Sequence, residues 1–324
     1  MVAYRPIRLF TLPVWLSAQL DAANCNDIYR LQWSVRFRHA SMVPSWFDGA
    51  ASFEQRIENK KGGACSMSQS IANKVYVVTG ASRGFGLAIA TDLVARGAKV
   101  GLLARDEDQL SAAVAQLGAE KALAVVADIT DSSAVASAMA AVAAKFGGID
   151  GLVNNAGIAK PGFVEQYTDA EVQAQLQINI AGVIYACRAA IPFLETSDNP
   201  RIINISSASA YHQDEMMGLS LYAASKAAVE RLSRDLRREM QEKGVGVTIL
   251  RPGAAATEFA AGWEHDRFVE ALNAWHKRCG PYMDFGMGVE HVAEAVAFCL
   301  GMDPGVSVDE LEIRPNRLIE KVKI

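Results

Sequence analysis

From Lys74 onward the sequence predicts an α/β fold: a doubly wound, mostly parallel sheet of seven strands, with helices on both faces of a single domain. Three observations predict it. Short runs rich in β-branched residues alternate with longer amphipathic or Ala-rich segments, the order that repeated βαβ units produce. The strand-like runs, such as Val75-Tyr76-Val77-Val78 and Ile202-Ile203-Asn204-Ile205, are nearly continuous apolar stretches, as required when helices cover both faces. Glycine-rich and polar clusters fall where those runs end, the side on which open parallel sheets hold ligands.

The chain has 324 residues, 51% of them hydrophobic and 21% charged, and a net charge of −4. This mildly acidic total gives no electrostatic footprint for nucleic acid or an anionic membrane, and neither partner is expected. One domain rarely exceeds ~250–300 residues, so part of the length is surplus. Residues 1–66 stand apart: they hold Trp15, Trp33 and Trp46 and show no sustained period. Eight basic residues there (Arg5, Arg8, Arg30, Arg36, Arg38, Arg56, Lys60, Lys61) against five acids (Asp21, Asp27, Asp48, Glu54, Glu58) leave +3, and the remainder carries −7. This N-terminal extension is expected to be a disordered tail or a start-site artefact. On the second view Met67 is the natural start, since Lys61-Gly62-Gly63 is what a purine-rich ribosome-binding site would encode in frame. Pro13 interrupts the short apolar stretch Leu9 to Leu16 and no small-residue cleavage site follows, which argues against an export leader.

Cys25, Cys65, Cys187, Cys279 and Cys299 form no Cys-x-x-Cys pair, and the five histidines form no His-Glu-x-x-His. No metal site is expected, and the thiols are read as buried or incidental ones in a reducing, cytoplasmic setting. The longest apolar stretches are broken by Pro13 and by Arg188 with Pro192, short of the ~18 residues a membrane helix needs.

The first strand is expected at 74–79. It ends in Thr79-Gly80-Ala81-Ser82-Arg83-Gly84-Phe85-Gly86, followed by a helix over 85–97. Glycines there let the backbone turn tightly and approach a pyrophosphate, whose charge is favoured by the helix N-terminus. The spacing Gly-x-x-x-Gly-x-Gly departs from the common Gly-x-Gly-x-x-Gly fingerprint, but its place at the first strand-to-helix junction predicts a dinucleotide site. A second strand at 98–104 ends in Arg105, and a helix follows over 106–117. An acid at this strand end usually binds a ribose 2′-hydroxyl, whereas arginine accommodates a 2′-phosphate. Arg105, with Arg83 on the same side, therefore predicts NADP(H) over NAD(H). Asp106 and Asp108 are read as favourable charge in the first helical turn.

A third strand at 121–127 ends at Asp128, and a helix over 131–147 leads to a fourth strand at 150–154 and Asn154-Asn155-Ala156-Gly157. A long helix over 168–195 carries Asn179, and a fifth strand at 201–206 ends in Ser206-Ser207. The helix over 221–243 opens on Tyr222-Ala223-Ala224-Ser225-Lys226, before a sixth strand at 245–250. A helix over 289–301 and a seventh strand at 308–313 complete the domain.

Tyr222 and Lys226 are four apart on a helix and share a face, so the ammonium can stabilise a phenolate. Lowering a tyrosine from pKa ~10 to near ~7 requires ~4 kcal/mol of differential stabilisation. Lysine and a positive nicotinamide ring together can supply it. Tyr222 is then a general base in alcohol oxidation and a general acid in ketone reduction.

Taken in order, these motifs closely resemble the short-chain dehydrogenase/reductase family, in its single-domain, NADP-preferring branch with a Rossmann sheet. The resemblance covers 67–324 and none of 1–66. It implies that Asn179, Ser207, Tyr222 and Lys226 are catalytic: Ser207 bonds the substrate oxygen, Asn179 supports a water leading to Lys226, and Lys226 also grips the nicotinamide ribose. It implies cofactor contacts from Gly80, Ser82, Arg83, Gly84, Phe85, Gly86 and Arg105, and from Tyr222 and Lys226. Asp128 with Ile129 meets the adenine, Asn155, Ala156 and Gly157 line its ribose side, and Pro252, Gly253, Ala255 and Thr257 hold the carboxamide. Homodimers or homotetramers built on the helices carrying Asn179 and Tyr222 are implied too. Two departures stand out: the stretch from Ser207 to Tyr222 is slightly long, with Ser209 nearer the usual separation, and Phe85 is bulkier than the usual aliphatic residue. Ser207 is preferred because it follows the strand directly.

Specificity in such folds lies in loops. After Thr257 comes an insertion at about 257–288 with Phe259, Trp263, Phe268, Trp275, Tyr282, Met283 and Phe285, and the loop before Tyr222 contributes Tyr211, His212, Met216 and Met217. It reads as an aromatic lid over a small hydrophobic ketone, aldehyde or secondary alcohol, or as a lid helix packed on the body. His212 is expected to be an exposed loop residue. The alternatives carried are a 3-ketoacyl-type reductase and a non-catalytic NADP sensor.

Overall fold

The computed structural model describes residues 71–321; the expectations for 1–66 and for Met67 lie outside the described residues. Seven parallel strands form the main sheet: β1 (Val75–Thr79), β2 (Lys99–Ala104), β3 (Ala122–Val126), β4 (Gly151–Asn154), β5 (Arg201–Ile205), β6 (Gly246–Pro252) and β8 (Glu310–Ile313). Their spatial order is β3-β2-β1-β4-β5-β6-β8. Connections leave β1 in one direction and β4 in the other, so the loops after these two strands diverge and open a crevice.

Every residue of β1 is buried, and alternate residues serve opposite faces. Tyr76 and Val78 join the core beneath α1 (Gly84–Ala95), α2 (Glu107–Leu117) and α8 (Val289–Leu300). Val75 and Val77 join the core beneath α3 (Ser132–Phe146), α5 (Gly182–Leu194) and α6 (Ser220–Glu239). Two apolar cores sandwich one sheet, which explains why its strands read as continuous hydrophobic runs.

Three features depart from the expected element list. The helix expected over 168–195 is α4 (Asp169–Leu176), capped by Thr168 and Glu171, then a π-helical stretch Gln177–Ala181, then α5. That stretch holds Asn179, consistent with the tendency of π turns to mark functional positions. Contrary to the expectation that no segment is long and apolar enough to cross a bilayer, Asp169–Leu194 is by length and composition, an 18-residue stretch within it having a mean hydropathy of 1.3. Its apolar residues Val183, Ala186, Cys187, Ala190 and Leu194 are buried in the sheet core. The third departure is the region after β6: it contains a helix α7 (His265–Cys279) and a short strand β7 (Tyr282–Asp284), antiparallel to β9 (Leu318–Glu320).

Candidate active site

The turn after β1 is built from glycines with separate tasks. Gly80 and Gly84 have φ of +64° and +56°, a region that favours glycine, and they let the chain enter α1 without a side-chain cap at Arg83. Gly86 is needed for proximity: a Cβ there would stand 2.2 Å from the Gly80 carbonyl oxygen. A helix N-terminus with amides free of side-chain caps, approached by backbone alone, suits a pyrophosphate. The turn is braced from the neighbouring strand. The Thr79 hydroxyl accepts from the amides of Asn155 and Ala156, both at 3.0 Å, and Asn155 Nδ2 donates to the Thr79 carbonyl at 2.9 Å. Asn154 points the other way, into a buried chain linking Cys187, Asn204 and Ser233.

The two cations expected on one side line separate cavities. Arg105 borders a cavity of about 440 Å³ with Asp128, Thr130, Gln173, Gln177 and Ile178. Arg83 borders one of about 290 Å³ with Ser82, Gln109, Gln116 and Glu258. Arg105 stands 3.9 Å from Asp128, whose other oxygen is held by the amide and hydroxyl of Thr130. Asp106 is the N-cap of α2, accepting from the Gln109 amide at 2.9 Å. Neither Asp106 nor Asp108 displaces Arg105 at the strand end.

The catalytic candidates converge at the ends of β4 and β5. Tyr222 and Lys226, one helical turn apart on α6, are both buried. Lys226 Nζ donates to the Ile205 carbonyl at 2.8 Å and lies 5.9 Å from the Tyr222 ring centroid. Burial pulls its pKa down to about 8, so the ammonium remains charged at neutral pH. The Asn179 amide is clamped to Ile158, accepting from its amide and donating to its carbonyl, both at 2.8 Å, and also donates to Ser225 Oγ at 2.9 Å. Gly157 packs beside this group: a Cβ there would come 3.3 Å from Lys226 Nζ and 3.4 Å from Asn179 Oδ1.

The Ser207 hydroxyl lies near enough to the Tyr222 phenol to lower its pKa, and 2.8 Å from the hydroxyl of Ser209. Of the two serines in the ambiguous spacing, Ser207 is the one that acts on Tyr222. In the protein alone, burial pushes the Tyr222 phenol up to about 12; the Ser207 hydroxyl lowers it and the Glu215 carboxylate adds to the rise. The protein alone thus keeps Tyr222 protonated, as a general acid requires. Ionisation for the reverse direction depends on the charge of Lys226 and of an oxidised nicotinamide ring.

The backbone of Pro252-Gly253-Ala254-Ala255-Ala256-Thr257 pairs with Ile313 and Met287, leaving the Thr257 hydroxyl to cap the next turn at Phe259. Phe259 then lies against Tyr222, with ring centroids 5.4 Å apart, and Trp263 and Phe268 continue the aromatic series. Ala159, Leu219 and Met216 complete an apolar surround. The other expected lid residues turn elsewhere: Trp275 donates to the Asp214 carbonyl under Lys321, and Phe285 stacks on Arg317.

Two groups escaped the sequence reading. His212 is not an exposed loop histidine; its Nε2 pairs with Glu312 at 2.6 Å and is partly buried. Glu215, next to Met216, pairs with Arg314 at 3.3 Å, and Arg314 also holds Asp284. No local motif marks these pairs, because their partners arrive from the far C-terminus. Among the described residues, no group of three or more His, Cys, Asp or Glu is arranged to hold a metal ion.

This geometry has close counterparts. A family model described as short chain dehydrogenase matches residues 74–267. An uncharacterised oxidoreductase of Staphylococcus aureus (strain N315) is 32% identical over 246 residues, which cover 76% of this chain and 98% of that protein. A short chain dehydrogenase from Burkholderia cenocepacia J2315, solved in complex with NADP, is 34% identical with a TM-score of 0.65, covering 76% of this chain and 98% of that one. A 3-ketoacyl-(acyl-carrier-protein) reductase from Brucella melitensis, complexed with NADH, is 29% identical with a TM-score of 0.65, covering 75% and 98%. The sheet order, the glycine turn, the Tyr222/Lys226 pair and these matches agree: the chain belongs to the short-chain dehydrogenase/reductase family of oxidoreductases.

Proposed function

We propose that the protein is an NADP(H)-dependent oxidoreductase that interconverts a secondary alcohol with a ketone, or a primary alcohol with an aldehyde, on a small hydrophobic molecule. The observation that carries this reading is the buried Tyr222, with the Ser207 hydroxyl near its phenol, Lys226 one turn behind it and the ring of Phe259 tilted against it. Bound NADPH supplies the hydride. Ser207 and Tyr222 hold the carbonyl oxygen, and Tyr222 delivers the proton as the oxygen gains charge. Lys226 carries the positive charge that makes the resulting phenolate tolerable, and Asn179 keeps the Ile158 loop in place beside it. Phe259, Trp263 and Met216 exclude water and select apolar substituents.

Support for NADP(H) comes from Arg83 and Arg105 at the glycine turn and the second strand end, and from the NADP in the Burkholderia structure. A panel of ketones and aldehydes with NADPH and NADH tests the reading. Turnover of apolar ketones with higher kcat/KM for NADPH is expected; a clear preference for NADH overturns the cofactor assignment. The Brucella reductase favours a second reading, a 3-ketoacyl-type reductase, and faster turnover of acyl thioesters in the same panel would select it. Tight NADPH binding with no turnover would instead favour a sensor.

The pH dependence follows from the site. Tyr222 stays protonated to about 12, so the upper limb of the kcat/KM profile for reduction belongs to Lys226. Reduction is expected to fall as pH rises through about 8, where Lys226 loses its proton. A profile flat to pH 10 would remove Lys226 from that role.

A further inference from the structure

Glu258 follows Thr257 directly and precedes Phe259, so it sits on the turn that carries an aromatic ring onto Tyr222. Its carboxylate lies 3.9 Å from Arg83 Nη1. The two side chains are 77% and 61% exposed, so their attraction adds little to stability. Among the described residues, the ion pairs of Arg83 and Glu258 are confined to each other. Both border the cavity of about 290 Å³, whose remaining wall is Ser82, Leu87 and the α2 residues Gln109, Ala112, Ala113 and Gln116. That wall is neutral. The cavity lies between the glycine turn and α2, the helix that follows β2, and on the NADP(H) reading the ribose 2′-phosphate is what Arg83 meets there.

A cation placed to meet a phosphate is therefore partly neutralised by a carboxylate from the lid. We propose that Glu258 competes with the cofactor 2′-phosphate for Arg83, making this lid residue a determinant of how strongly the enzyme prefers NADP(H) over NAD(H). The proposal rests on the NADP(H) reading above. A phosphate carries nearly two negative charges at neutral pH and presents three acceptor oxygens, so it displaces the single carboxylate from the guanidinium. Glu258 then faces the phosphate without a partner, a repulsion absent when NAD(H) binds. Occupation of the phosphate site also frees the turn bearing Phe259 from the glycine loop, which ties the cofactor's identity to the residue over Tyr222.

Steady-state kinetics with both cofactors on one substrate tests this. Glu258→Gln is expected to lower KM for NADPH by about three- to ten-fold, with KM for NADH unchanged and the difference largest at low ionic strength. Glu258→Lys should extend the same trend, and Glu258→Asp, which keeps the charge, should retain the wild-type ratio. Equal shifts for the two cofactors in Glu258→Gln, or none, overturn the competition. Arg83→Ala separates the two readings. If it abolishes the NADPH preference while Glu258→Gln moves nothing, the competition alone fails; if it leaves the preference intact, the phosphate role of Arg83 fails and the competition with it.

Discussion

Tyr222→Phe is expected to lower turnover by about 10²–10⁴-fold while NADPH still binds, because it removes the proton donor and little else. The ring is buried among Ala159, Leu219, Met216 and Trp263, tilted against Phe259, and a phenylalanine keeps these contacts. What disappears is the hydroxyl near Ser207. Since burial places the phenol at about 12, water reaching the pocket is a poor substitute: it lacks the fixed position beside the substrate oxygen. Turnover assays beside a fluorescence titration of NADPH separate chemistry from binding. Activity within a few-fold of wild type would overturn the acid/base assignment; loss of NADPH binding would show that the variant disturbs more than the hydroxyl.

The largest expected effect on stability comes from Arg251→Ala. Glu230, on α6, and Arg251, on β6, are both buried and joined by two hydrogen bonds, with Nη2 to Oε2 at 2.7 Å. Ser206 adds a hydroxyl at 2.9 Å, and Glu310 takes a further bond from Arg251 at 2.7 Å. Truncating Arg251 leaves Glu230 in a core position with Ser206 and the half-exposed Arg234. Stranding a buried charge costs about 3–5 kcal/mol, which in a domain of this size lowers Tm by about 6–20 °C. Adding Glu230→Leu to Arg251→Ala should recover part of the loss, since the cost lies in a buried carboxylate that has lost its buried partner. Calorimetry of both variants checks this; a shift under about 2 °C in Arg251→Ala would mean the pair is not the anchor described.

The parallel sheet was legible because burial on both faces imposes an unbroken apolar run, and such runs end abruptly at glycine or polar residues. For the same reason the catalytic candidates could be read: Tyr222 and Lys226 share one helix, and Ser207 and Asn155 sit at strand ends. The strands β7 and β9 were not legible. Each has three residues, Tyr282–Asp284 and Leu318–Glu320, too few to show a period, and their pairing spans the intervening α8 and β8. The Glu230–Arg251 bridge and the His212–Glu312 pair share that difficulty, since contacts between residues 21 and 100 positions apart leave no local trace. Local charge told more than the total: a net −4 hides two arginines at the cofactor crevice, yet only the folded chain places Glu258 beside one of them.

The π-helical stretch Gln177–Ala181 changes what the helix on either side of it can tolerate. Each residue of an α-helix advances the side-chain direction by about 100°, so a widened turn resets the angular phase of everything after it. Asn179 is aligned on Ile158 and Ser225, whereas Val183, Ala186, Ala190 and Leu194 are aligned on the sheet. The widened turn sets the angle between these two alignments. Removing a single residue from this turn would rotate one of those two sets by roughly a quarter of a revolution, so the segment is closed to the length variation that surface loops accept.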